Sequence, residues 1–197
     1  MKRAEQKAAT RAMILDLASR RLRKEGLGGN AVHRLMRDCG LTHGGFYGHF
    51  PSKDALDAAA LEAAMAEHLA RDAALPADLP RAERRKARAR RYLARAHRDN
   101  VEHGCPLAAL LSEAAHGSDT LRETYQRLLA GVVTGAGDGE GPPPPAEELA
   151  LAALAMGGLA LARAVPDAGL SDAILAACRD ASARLADAYA QSPGDPA

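Results

Sequence analysis

The sequence predicts an all-α protein, and three observations carry that prediction. Alanine and leucine dominate its 197 residues, while only two Phe, four Tyr and no Trp occur. Such a composition favours helices and is short of the side chains that strands prefer. Apolar positions recur at helical spacing, and Gly and Pro cluster between the periodic segments.

The first helix is expected over Ala4 to Lys24, with Ile14, Leu15, Ala18 and Leu22 as its apolar stripe. Gly26, Gly28 and Gly29 stop it. Asn30 is placed to cap a second helix through Asp38, with Val32, Leu35 and Met36 inward. Gly40 closes that helix in a tight turn, and Thr42 is placed to cap a third, from His43 to Phe50. Two short helices joined by such a turn form a helix-turn-helix. Ser52 then caps a long helix reaching about Ala74.

A strongly basic helix is expected from Arg81 to Val101, with Pro106 starting the next segment. Ser118 caps another through Val133. The Gly- and Pro-rich run from Gly135 to Pro145 is a connector. Two apolar helices, Ala146–Ala164 and Ser171–Ala190, complete the chain ahead of a frayed tail. The expected organisation is a three-helix module over residues 1–53 and a larger helical domain over residues 54–197.

The net charge of +1 hides an asymmetry. Residues 1–53 hold eleven Lys/Arg against four Asp/Glu, a net of +7, and the rest nets −6. A basic first quarter points to a module that faces a polyanion. No apolar run approaches the roughly 20 residues needed to span a bilayer, and no signal core opens the chain. The expected location is cytoplasmic. Three widely spaced cysteines, Cys39, Cys105 and Cys178, argue against a disulfide framework and a zinc site. No Ser/His/Asp set, metal-ligand spacing or phosphate loop emerges, so enzymatic function and a cofactor are not expected.

Three of the six aromatics, Phe46, Tyr47 and Phe50, fall within five positions beside Gly44, Gly45 and Gly48. Each glycine costs roughly 1 kcal/mol against Ala in an ordinary helix. Close approach of the backbone to DNA would compensate. A groove-bound helix also needs polar atoms at base edges and phosphate anchors. Thr42 can donate to a phosphate, Tyr47 offers a hydroxyl at the groove edge, and Lys53 is placed for a phosphate. Phe46 and Phe50 lie on the other side, towards Leu35, Leu41 and Leu56.

The run GLTHGGFYGHFPSKDAL, Gly40 to Leu56, resembles the signature of the TetR family of bacterial one-component transcription regulators. The resemblance covers about residues 8–57 well and the remainder in layout alone. It implies that His33 and His43 meet base edges, that Thr42, Tyr47, His49 and Lys53 contact phosphate, and that Arg34 flanks the backbone. Gly44 and Gly45 belong to the same DNA face. His49 has packing or capping as an alternative role, and Lys53 that of a plain surface lysine. Gly48 departs from the larger side chain of many relatives, which removes one base reader.

The last two helices are expected to form a homodimer contact. Leu149, Leu151, Leu154, Met156, Leu159 and Leu161 make the first apolar nearly all round, and Gly157-Gly158 permits close approach. Ile174, Cys178, Ala181, Leu185 and Tyr189 form one face of the second. A twofold dimer would read an inverted-repeat operator in double-stranded DNA.

The resemblance also implies a small-molecule effector, with Tyr92, His97, Cys105, Leu111, Tyr125 and Met156 as candidate lining. Cys105, at a helix N-terminus, is a candidate thiol sensor; its alternative is a small buried residue. The nine Lys/Arg between Arg81 and Arg98 form a solvated face, or else serve an anionic effector or DNA. The chain is thus expected to be a repressor released from DNA by its effector.

Overall fold

The computed structural model describes residues 3–72, 76, 78–135 and 144–190. Among these there are helices and no strands. Helix α1 (Arg3–Glu25) buries Ile14, Ala18 and Leu22 completely. A 3-10 helix follows over Leu27–Asn30, then α2 (Val32–Asp38), a second 3-10 helix over His43–Gly48, and α3 (Lys53–Asp72).

The turn between α2 and the second 3-10 helix is a Schellman motif. Gly40 adopts φ 70°, the Gly40 N–H donates to the Arg37 carbonyl at 2.9 Å, and the Leu41 N–H donates to the Met36 carbonyl at 2.8 Å. Only glycine enters this left-handed region cheaply, so Gly40 fixes the angle of the helix-turn-helix.

Two expected caps are not used. Ala31, not Asn30, stands at the N-cap of α2, with no side-chain hydrogen bond. Asn30 is fully buried and donates from Nδ2 to Asp57 Oδ1 at 3.1 Å. Thr42 occupies the N-cap of the His43–Gly48 segment but makes no capping bond from its hydroxyl. That segment is 3-10 rather than α-helical, as its glycines permit. Ser52 does cap α3, its Oγ accepting from the Ala55 N–H at 3.1 Å.

The basic stretch is broken rather than continuous: α4 (Arg81–Tyr92), α5 (Arg95–Asp99) and a 3-10 turn over Val101–His103. The break is held by arginines. Arg179 donates to the Leu93 carbonyl at 2.6 Å, and Arg163 donates to the carbonyls of His97 and Arg98 at 2.9 and 3.1 Å. Helix α6 (Pro106–Ala109), a 3-10 helix over Glu113–His116, α7 (Asp119–Thr134), α8 (Ala146–Ala164) and α9 (Ala168–Ala190) follow. The expected end at Ala74, most of the Gly/Pro connector and the tail from Ser192 lie outside the described residues.

The chain divides into two compact units. One comprises Met1–Leu69 with Glu102–Leu129. Its core joins Ile14 and Leu22 to Leu35, Met36, Phe46, Phe50, Leu56, Leu61, Met65, Leu107 and Leu110, each at most 2% exposed. Burying one such side chain contributes about 1.5–3 kcal/mol. The Phe46 and Phe50 rings stack at 5.8 Å, with the Arg11 guanidinium over Phe50.

The other unit comprises Ala70–Val101 with Ala130–Ala197, built on α8, α9 and α4. The Gly157-Gly158 pair splits its roles. A Cβ on Gly158 would lie 2.6 Å from Cys178 Sγ, so this glycine lets α8 meet α9 within the chain. A Cβ on Gly157 would meet nothing. Cys178, Met156 and Leu159 therefore pack inward rather than on an outer face. The basic stretch is also not simply solvated. Arg85 is 8% exposed and pairs with Glu148, while Arg95 and Arg98 share Asp172.

Candidate nucleic-acid interface

The turn at Gly40 brings one face of α2 beside the His43–Gly48 segment. His33 and His43 come to 6.2 Å between ring centroids, and His43 lies 6.3 Å from Tyr47, edge-on. All three are exposed, Tyr47 at 65%. Tyr47 also stands edge-on to Phe46 at 5.3 Å, so a completely buried ring backs an exposed one. Two residues adjacent in sequence point to core and solvent, and this fixes which side of the segment is free. Donors and acceptors of three rings thus share one surface.

Thr42, Gly44 and Gly45 are exposed beside this cluster. A Cβ at Gly44 or Gly48 would meet no atom, and one at Gly45 would make ordinary contacts with Thr42 and Met36. None of the three has positive φ. The chain's own packing therefore requires none of these glycines, whereas Gly40 is required by its backbone.

The cationic groups at the rim are partly engaged. Lys53 donates from Nζ to the Leu27 carbonyl at 3.2 Å and to Asp57 Oδ2 at 2.5 Å, with its side chain 40% exposed. An ammonium has three donors, so one remains. Arg34 pairs with Glu25 and reaches the Gly29 carbonyl at 3.4 Å. His49 is half-buried, and its Nδ1 has no hydrogen-bond partner among the described residues. Asp57, 3% exposed, has its carboxyl pushed up by burial, against the opposing pull of Lys53 and Asn30. Sequence reasoning missed this network, because Asn30 and Asp57 lie 27 positions apart and carry no motif.

The six candidate effector residues fall in both units. Cys105, Leu111 and Tyr125 belong to the first, and Tyr92, His97 and Met156 to the second. Cys105 is 4% exposed at the N-cap of the four-residue α6. Tyr125 donates to the Leu107 carbonyl at 2.9 Å, and its phenol is pushed up to about 12 by burial and then by the neighbouring Cys105. Leu111 is 44% exposed. The Tyr92 and His97 rings pack edge-on at 4.7 Å, with His97 Nδ1 2.6 Å from the Tyr92 carbonyl. Met156 is 7% exposed. No cluster of three or more His, Cys, Asp or Glu suited to a metal occurs among the described residues, and no described helix is long and apolar enough to cross a membrane.

Fold and site together define an all-helical chain with an N-terminal helix-turn-helix. Residues 14–60 match the family described as bacterial regulatory proteins, tetR family. The matched segment runs from α1 through the helix-turn-helix into α3. Three solved structures share the fold. A TetR-family transcriptional regulator from Cytophaga hutchinsonii is 22% identical over 91% of this chain and 96% of its own, with TM-score 0.67. One from Chloroflexus aurantiacus is 22% identical over 95% and 98%, with TM-score 0.66. One from Streptomyces coelicolor is 26% identical over 99% and 93%, with TM-score 0.58. No curated protein matches the chain.

Proposed function

We propose that this chain is a cytoplasmic, homodimeric transcriptional repressor, released from an inverted-repeat operator when a small molecule binds its helical domain. One observation carries the DNA geometry. Gly44 and Gly48 serve neither backbone nor packing, yet stand beside the exposed His33–His43–Tyr47 cluster. A bare backbone next to polar rings suits a surface that a phosphate backbone and base edges approach closely. In this reading His33 and His43 read bases. Tyr47, Thr42, His49 and the remaining Lys53 donor hold phosphates, with Arg34 alongside. Residues 1–53 act as the DNA-binding domain and residues 54–197 as the effector and dimer domain.

The dimer part is supported by α8 and α9. From Ala150 to Ala162 helix α8 carries no charge, and its outward positions include Ala153, Gly157 and Leu161, the last 59% exposed. Helix α9 presents Leu170 at 52%, with Ala173 and Ala177 exposed. A small-residue apolar face of this kind fits a twofold helical contact. Release by an effector rests on the TetR likeness, with Tyr92, His97, Cys105, Leu111, Tyr125 and Met156 as the residues to probe and Cys105 as the thiol to test. Effector binding would shift the dimer towards an arrangement that no longer matches operator spacing.

Footprinting of the DNA upstream of the chain's own gene tests the reading. It expects a protected inverted repeat, lost with Tyr47→Ala and Lys53→Ala together. Protection unchanged in that double variant would remove the proposed docking.

A further inference from the structure

The 3-10 helix Leu27–Asn30 starts at Gly26, which has φ 67° and no side chain to cap the segment. The cap comes from a distant part of the chain. Glu113 Oε2 accepts from the Leu27 N–H at 2.7 Å across 86 positions. A Cβ on Gly26 would displace the Glu113 carboxylate from the Leu27 N–H, and φ 67° itself favours glycine there.

The capped segment holds Lys53 twice. The Leu27 carbonyl accepts from Lys53 Nζ at 3.2 Å. Asn30, the last residue of the same segment, donates to Asp57 Oδ1 at 3.1 Å, and Asp57 Oδ2 accepts from Lys53 Nζ at 2.5 Å. Two of three ammonium donors are thus directed inward, and the third is left at the exposed end of the side chain. A cation fixed in this way loses less rotamer freedom on meeting a phosphate than a free lysine does.

We propose that Glu113 is a positioning residue for DNA binding: its carboxylate fixes the Leu27–Asn30 segment and thereby holds the Lys53 ammonium ready for a phosphate. This rests on the reading of Lys53 as a phosphate contact. Glu113 opens the 3-10 helix Glu113–His116, in the stretch that also carries Cys105, Leu111 and Tyr125. That stretch therefore has a hydrogen-bonded route to the DNA face, from Glu113 through Leu27 to Lys53.

The test is fluorescence anisotropy of the full chain on a mixed-sequence duplex of about 30 base pairs over a salt series, because phosphate contacts act without regard to sequence. Glu113→Ala should weaken binding about fivefold, the loss of orientation of one long side chain. Its log–log salt slope should fall by up to about 0.9, towards that of Lys53→Ala. Glu113→Gln, which keeps an acceptor for the Leu27 N–H, should bind like wild type. In a Lys53→Ala background Glu113→Ala should have no further effect. If Glu113→Ala proves unstable in the assay, Glu113→Asp, one methylene short of Leu27, carries the same expectation. Wild-type affinity in Glu113→Ala, or an equal loss on the Lys53→Ala background, overturns the positioning role and leaves DNA binding intact. Unchanged binding by Lys53→Ala itself removes the phosphate contact and the proposal with it.

Discussion

His33 and His43 stand with ring centroids 6.2 Å apart and planes tilted by 37°, one on α2 and the other opening the 3-10 segment beyond the turn. The Schellman turn at Gly40 sets this spacing, and with it the width of the surface offered to a groove. Replacing either histidine by alanine should reduce discrimination between operator and random duplex by about 1–3 kcal/mol, the range for a good base contact. Because the rings are neighbours, the double variant should lose less than the two single losses added. Competition binding with a scrambled duplex measures this, and full additivity would mean that the two act independently.

Gly48→Ala separates folding from DNA binding. A Cβ there meets no atom and the backbone φ is not positive, so the variant should fold at least as stably, gaining up to about 1 kcal/mol. Operator affinity should nevertheless fall, since the methyl group stands on the proposed DNA side. Thermal unfolding and anisotropy on the same preparations decide it. Gly40→Ala should do the reverse and destabilise the fold, because φ 70° strains any side chain.

Asp57 gives a pH signature. Burial raises its carboxyl above the ordinary 3.8, despite Lys53 and Asn30. A raised acid contributes stability below its unfolded value and loses it as pH rises through the folded one. Asp57→Asn removes this titration. The stability advantage of wild type over the variant should therefore shrink as pH climbs from below about 4 towards neutrality. An advantage that grows with pH, read from thermal melts, would mean that the Lys53 pair outweighs burial.

Tyr125 should ionise only at high pH. Its phenol is raised from 10.0 to about 12, so its contribution is complete below 10 and disappears as pH passes about 12. Ultraviolet titration of wild type against Tyr125→Phe isolates it. The variant should lose about 1 kcal/mol of stability with the hydrogen bond to the Leu107 carbonyl. Ionisation of Tyr125 near the ordinary 10.0 would show that the site admits water.

Gly157→Leu should leave each chain folded, since a Cβ there meets nothing, while obstructing helix approach between copies. Leu161→Lys, at a position 59% exposed, should act in the same direction. Sedimentation should show both shifted from dimer towards monomer. Dimers of wild-type strength in both variants would place the contact elsewhere.

The helix-turn-helix was legible because its signals are local. Gly40, the Phe46/Phe50 spacing and Ser52 act within a few residues of themselves, and each does in the structure what its chemistry implies. Asn30 and Thr42 read as side-chain caps for the same reason, yet Asn30 lies outside the cap of α2 and Thr42, though at the cap position, makes no capping bond. The competing partner of Asn30, Asp57, is 27 positions away, and the glycines after Thr42 allow a 3-10 segment instead. The basic stretch likewise reads as one helix until Arg163 and Arg179 arrive at its carbonyls.

By itself the sequence determined the all-helical class, the basic N-terminal module and the side of the 43–50 segment that faces the core, since composition, charge and short-range spacing are properties of neighbouring residues. Tertiary structure alone decided that Glu113 caps Leu27, that Asp57 and Leu27 share Lys53, and that Gly158 turns inward while Gly157 turns out. Those contacts depend on where distant helices cross, and a crossing is set by the fit of side-chain volumes, which no local pattern encodes.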